Sequence, residues 1–264
     1  AAVLCIGTEL TTGDVADQNG GWLARELTGL GFEVGEIRII RDDASRIATV
    51  LGRLGDSYDL VLCSGGLGPT TDDVTAVAAA SALGVGLVRD AGSLERIRAR
   101  LAARGHTLTE ANAKQADLPD GARAVPNDAG TAPGFVLPIG RADAWFLPGV
   151  PHELRQMFDA GVAPRLSRPE HGSEQVIRLR TFGLAEGLLG ERLVGIESEH
   201  EVALGYRAEL PEVEVKVQAR RAAAGEAAAA ARAAADAIIA RLGREVVYAE
   251  GNRALPAVVS ERLV

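Results

Sequence analysis

The sequence is poor in the residues that build metal clusters, disulfide frameworks and membrane spans. Its 264 residues include two cysteines, four histidines and one methionine, and aromatic residues make up 4%. Cys5 and Cys63 lie far apart, each inside a short apolar run. They form neither a metal-binding pair nor a disulfide framework, and they read as reduced core thiols. That usage points to a reducing compartment, and a cytoplasmic location is expected. His106, His171 and His200 are scattered without zinc spacing. His152 reads as a solvent-facing helix residue. No apolar run reaches the length of a transmembrane helix, and no secretory signal pattern opens the chain, so no membrane partner is expected. Basic residues are also in deficit: 28 Lys and Arg against 36 Asp and Glu give a net charge of −8. A binder of the phosphate backbone needs a basic stripe, so nucleic acid is not expected as a partner.

What is present is ordinary globular material, with 47% hydrophobic and 24% charged residues, enough for one large domain or two smaller ones. Residues 1–7 form a continuous apolar run ending at glycine, as in a strand buried on both faces. Strands at 34–40 and 60–63 alternate with helical spacing at 17–30, 43–54 and 73–83. The β-α-β-α-β-α order predicts a three-layer α/β/α fold with a mostly parallel sheet. Further helices are expected at 93–103, 109–116 and 151–158, with short strands at 123–126, 134–138 and 144–147. Trp22 and Trp145 read as core aromatics. Residues 167–173 read as a linker. Beyond it come a strand at 175–182, a helix at 185–196, strands at 202–207 and 213–219, an alanine-rich helix at 222–242 and a strand at 245–248. This β-α-β-β-α-β order is that of a small ferredoxin-like α+β domain. The expected domains are 1–166 and 174–250, with 251–264 as the start of a truncated or absent C-terminal region.

The sharpest segment is Ser64-Gly65-Gly66-Leu67-Gly68-Pro69-Thr70-Thr71-Asp72-Asp73, placed between a buried strand and a helix. Its glycines let the backbone approach a ligand, and the helix start adds oriented N–H groups. It is neither a Walker loop nor a dinucleotide fingerprint. It reads as a phosphate cradle, with a tight structural turn as the competing reading. Asp72 and Asp73 either cap the helix or, beside a phosphate, hold a divalent cation that relieves their repulsion. Three other segments resemble this one in composition: Gly7-Thr8-Glu9-Leu10 with Gly13, Gly130-Thr131-Ala132-Pro133-Gly134-Phe135, and Leu147-Pro148-Gly149-Val150-Pro151-His152-Glu153-Leu154. Several such loops in one parallel-sheet domain predict a shared site at one edge of the sheet.

Together and in this order, the four segments resemble the CinA (competence/damage-inducible protein A) family, from residue 1 to about 250. The resemblance implies a molybdopterin-binding-like domain followed by the family's middle domain, and a homodimer. It also implies hydrolysis of the ADP-ribose pyrophosphate to AMP and ribose 5-phosphate with a divalent metal (Mg, Mn or Co). The family's C-terminal nicotinamide-mononucleotide deamidase domain has no counterpart here. Asp73 and Asp42 match functional aspartates of the related cofactor-biosynthesis proteins. They are the expected catalytic residues and metal ligands, with Asp72 beside them and Glu9 and Glu153 as secondary candidates. Gly7, Ser64, Gly65, Gly66, Leu67, Gly68, Pro69, Thr70, Thr131, Pro133, Gly134, Gly149 and Pro151 are expected to hold the nucleotide. Ser64 stands where the family often has Thr, and Thr11-Thr12 replace a more apolar pair. A module that binds a pterin or nucleotide without hydrolysis, and an adenylyl transferase acting on molybdopterin, are the alternative functions.

Overall fold

The computed structural model describes residues 1–166, 173–251, 253 and 255–262. The predicted linker at 167–173 lies outside them apart from the Ser173 backbone. The chain divides into two units, Ala1–Thr28 with Phe32–Ser167, and Gly29–Gly31 with Arg168–Val264.

In the first unit, β1 (Ala2–Ile6) and β3 (Leu60–Ser64) are buried at every position. This is why they read as unbroken apolar runs rather than alternating ones. They lie side by side in a six-stranded sheet with β2 (Glu36–Ile40), β6 (Arg123–Val125), β7 (Gly134–Ile139) and β8 (Ala142–Leu147), in the order β2-β1-β3-β8-β7-β6. The first four strands are mutually parallel, and β7 is antiparallel to both of its neighbours. The exits of β1, β2, β3 and β8 therefore share one edge of the sheet. Because β7 runs the other way, its start at Gly134 lies on that same edge, opposite the end of β8. This topology brings a motif that precedes a strand together with motifs that follow strands.

Helices α1 (Thr8–Thr12), α2 (Gly20–Gly29), α3 (Ala44–Ser57), α4 (Thr75–Leu83), α5 (Ala91–Ala103), α6 (Glu110–Ala113) and α7 (Pro151–Met157) complete the unit, with a two-stranded β4 (Leu87–Arg89) and β5 (Asp117–Pro119). Asp43 caps α3 by accepting from Arg46 N–H, and Asp17 accepts from Gly20 N–H at the start of α2. Phe135 and Phe146 stack across β7 and β8 with centroids 4.4 Å apart. Trp145 is buried, and Trp22 meets the edge of Phe158. Both cysteines are buried and free, and burial pushes the Cys5 thiol up to about 12. They are the inert core thiols expected.

Several expectations need correction. Residues 8–12, read as loop, form α1, a five-residue helix with no buried residue and therefore no apolar period. Strands β4 and β5 are three residues long and were not predicted. Helix α4 starts at Thr75 rather than Asp73. Neither aspartate caps it, because its cap position is Val74 and Thr75 N–H is spent on Gly66 O at 3.1 Å.

The second unit is an antiparallel sheet in the order β10-β11-β9-β12, built from β9 (Ser173–Phe182), β10 (Ala203–Glu209), β11 (Glu212–Arg221) and β12 (Val247–Glu250). This is the ferredoxin-like order expected. The predicted helix at 185–196 is instead two short helices, α8 (Glu186–Arg192) and α9 (Ile196–His200), parted by Gly195 at φ 94°. The alanine-rich helix α10 (Ala224–Leu242) buries Ala227, Ala231, Ala234, Ala235 and Ile238 against β9 and β11. Small side chains at this spacing let helix and sheet approach closely. Helix α11 (Leu255–Arg262) sets Leu255 and Val258 against Tyr248 and Ala249. Among the described residues no helix is long and apolar enough to cross a membrane.

Candidate functional site

The strand exits of the first unit enclose a cavity of about 470 Å³, within the size range of small-molecule sites. It opens between β1 and β3, where the chain order reverses across the sheet, the usual position for a ligand in an open α/β fold. Of the predicted residues, Gly7, Glu9, Asp42, Gly65, Gly66, Leu67, Gly68, Pro69, Asp72, Asp73, Thr131, Gly149 and Glu153 line it.

The remaining predicted residues lie elsewhere. Ser64 is 3% exposed, and its hydroxyl accepts from Asn19 Nδ2 at 2.9 Å. It is a prop behind the glycine loop rather than part of the wall. Thr70 is exposed and turned to Asp73, donating its N–H (2.8 Å) and hydroxyl (2.5 Å) to Oδ2. Gly134 is sealed in the sheet, where a Cβ would stand 2.5 Å from Phe146 O. Pro151 occupies the first turn of α7, and Pro133 lines a smaller neighbouring cavity. His152 is exposed, as expected.

The glycine loop is fixed from below. Gly65 N–H donates to Leu147 O at 3.0 Å, and the buried Thr75 hydroxyl donates to Gly65 O at 2.9 Å. A Cβ on Gly66 would collide with that hydroxyl. Asn19, 7% exposed, donates from one amide nitrogen to Ser64 Oγ and to Gly149 O at 2.7 Å, tying two strand exits together. Lys114 spans the far side, with Nζ 2.6 Å from Thr70 O and 2.9 Å from Asp73 O. Next to it, Gln115 lines the cavity, is 6% exposed, and its Oε1 is buried with no hydrogen-bond partner among the described residues. Asn127 organises the fourth wall. Its Oδ1 accepts from Ala129 and Gly130 N–H, and its Nδ2 donates to Ala132 O and, at 2.7 Å, to Glu153 Oε2.

Sequence reasoning missed Asn19, Lys114, Gln115 and Asn127. The one available signal was rarity: Lys114 and Lys216 are the chain's lysines. Replacing Lys114 with Met leaves two loop carbonyls without their cation. The first unit's melting temperature should fall by about 4 °C, with faster amide exchange at 70–73. Unchanged exchange there would show that the loop holds itself.

The electrostatics are one-sided. Glu9, Asp42, Asp72, Asp73 and Glu153 line the cavity, and among the described residues no Lys or Arg does. Asp42 Oδ2 accepts from Thr8 N–H at 2.7 Å and from its hydroxyl at 3.0 Å. Asp73 likewise uses Oδ2, which leaves Oδ1 of each carboxylate for another group. The Asp72 carboxyl is held below its ordinary range by the Thr70 hydroxyl, its own N–H and Lys114. That hydroxyl has a single proton, and its 2.5 Å contact favours Asp73. Among the described residues no three His, Cys, Asp or Glu side chains are grouped to hold a metal ion. Any ion there would have to be held by one or two carboxylates together with ligand phosphates, as magnesium commonly is.

Two family profiles match the chain. The first, a probable molybdopterin binding domain, covers residues 2–168, and the second, the KH domain of damage-inducible protein CinA, covers 178–248. The chain belongs to the CinA family. A CinA-like protein of Geobacter sulfurreducens is 40% identical over 98% of this chain and 63% of its own length. Another, from Desulfosudis oleivorans, is 35% identical over 100% and 65%. The chain thus spans somewhat under two thirds of these CinA relatives. The crystal structure of a CinA protein of unknown function from Thermoplasma acidophilum is 32% identical, with a TM-score of 0.57, over 60% of this chain and 93% of that one. In the KH-type unit, Gly187-Leu188-Leu189-Gly190 has the spacing of the loop that clamps nucleic-acid backbone in KH domains. Here it lies within α8 between Glu186 and Glu191, not in a loop, and its flanking charge opposes phosphate.

Proposed function

We propose that the cavity at the sheet edge holds a phosphorylated nucleotide and, with a divalent cation, hydrolyses the pyrophosphate of ADP-ribose to AMP and ribose 5-phosphate. The observation that carries this reading is the charge of the wall: five carboxylates line the cavity beside a glycine loop of phosphate-cradle type, and among the described residues the nearby Lys114 is committed to the loop carbonyls of Thr70 and Asp73 rather than to the lining. A bare pyrophosphate is repelled there, and a divalent ion reverses the sign. Asp73 and Asp42 would hold it through their uncommitted Oδ1 atoms. Held by those carboxylates, such an ion would supply positive charge against the phosphates and Lewis-acid polarisation of the phosphorus toward water.

The chain's own residues do the positioning. Gly65, Gly66 and Gly68 would let the loop backbone come close to the ligand at positions where no side chain intervenes. Lys114 and Asn19 keep that loop and the Gly149 exit in register. Glu153, which accepts from Asn127 Nδ2, would accept a ligand hydroxyl or the proton of attacking water.

Purified protein incubated with ADP-ribose should release AMP with Mg²⁺, Mn²⁺ or Co²⁺ and none with EDTA. Absence of AMP with all three metals would overturn the hydrolase. If ADP-ribose then still raised the melting temperature, a non-hydrolysing nucleotide module would replace it. Without turnover or protection, molybdopterin becomes the ligand to test, for binding or adenylyl transfer.

A further inference from the structure

A second cavity of about 200 Å³ lies beyond the wall made by the 126–133 loop, and Thr131 borders both spaces. Its other side is α5, which presents Ser93, Arg96 and Arg100 at three- and four-residue spacing, one face of a helix. Its chemistry is opposite to that of the main cavity. Two arginines line it against one carboxylate, Asp128. Asp128 engages Arg100 through its backbone carbonyl, which accepts from Nη1 at 2.8 Å. Arg100 Nε is buried and has no partner among the described residues. A buried charged donor left unpaired is costly, and such groups commonly mark a place that a ligand completes. Arginine's planar fork suits a phosphate better than any neutral group.

We propose that this pocket is an anion subsite in which Arg96 and Arg100 hold a phosphate monoester group. Among the described residues no cationic side chain lines the main cavity, so the chain divides the work. Carboxylates and a metal ion serve one side of the Thr131 wall, and arginines serve the other. Asn127 couples the sides, because its side chain shapes the loop that walls the arginine pocket while holding Glu153 of the main cavity. The proposal shares with the hydrolase reading the premise of a phosphorylated ligand, but it needs neither metal nor turnover.

The test is calorimetric titration of the whole chain with inorganic phosphate and with ribose 5-phosphate, in EDTA, so that the carboxylate cavity stays repulsive. Both ligands should bind, more weakly as salt is raised. The double variant Arg96→Gln, Arg100→Gln should lose at least about tenfold in affinity, whereas Arg98→Gln, which removes an exposed arginine of α5 that lines neither cavity, should bind as the parent does. Arg100→Lys, which keeps the charge but not the fork, should fall between. Circular dichroism of each variant establishes that it is folded. Absence of phosphate binding by the parent protein in EDTA, or equal affinity in the double variant, would overturn the subsite. Metal-dependent AMP release is scored separately, so either idea can fail alone.

Discussion

Replacing Gly65 with alanine is expected to lower the melting temperature of the first unit by about 10 °C, or to prevent accumulation of folded protein. Two costs combine at this position. Its φ of 107° lies where an L side chain is strained, a penalty of roughly 1–2 kcal/mol. A Cβ would also stand 2.0 Å from Ile6 O. That oxygen belongs to the backbone of β1, so relief requires β1 and β3 to part at the buried centre of the sheet, adding about 1–3 kcal/mol. For a unit of this size, each kcal/mol is worth about 2–4 °C. Gly84 separates the two costs. It closes α4 at φ 68°, but a Cβ placed on it would meet nothing within 4 Å. Gly84→Ala should therefore cost only about 3 °C. Equal melting temperatures for the two variants would mean that the Ile6 contact relaxes freely, and the tight packing behind the loop would lose its support.

This contrast also separates what the sequence disclosed from what it did not. The central strands were legible because burial on both faces leaves a local signature, as in Ala2–Ile6 and Leu60–Ser64. Helices such as α3 and α10 carry long apolar periods. The glycine loops were legible because a backbone that approaches a ligand or a neighbouring strand closely excludes side chains, and that exclusion is written residue by residue. Long-range polar ties leave no such mark. Asn19 reaches Gly149, 130 positions away, and Lys114 reaches Thr70, 44 away. Neither residue type nor spacing reveals such a partner. The same limit hid α1, whose first N–H is satisfied by Asp42, 34 residues along the chain. Asp72 and Asp73 looked like a helix opening because acidic residues favour that place. The structure instead folds Asp73 back on Thr70 and begins α4 two residues later, at Thr75.

That backward fold makes Asp73→Asn the most discriminating substitution. The expected result is a loss of about 100-fold or more in metal-dependent AMP release, with little change in stability. Asparagine keeps an acceptor for Thr70 N–H and the same shape. The loop then loses only the difference between a charged and a neutral acceptor, about 1 kcal/mol. What disappears is the negative charge and the second carboxylate oxygen, the features needed to hold a cation and not to hold the turn. Asp42→Asn should behave in the same way, because Asn can still accept from Thr8 N–H. Asp73→Ala, by contrast, removes the acceptor itself and should reduce melting temperature and activity together. If both asparagine variants kept full metal-dependent turnover, neither carboxylate would be a ligand, and their role would be confined to pinning Thr70 and Thr8. If each lost turnover but recovered part of it at raised Mn²⁺ concentration, the deficit would lie in holding the ion, which is the role the free Oδ1 atoms predict.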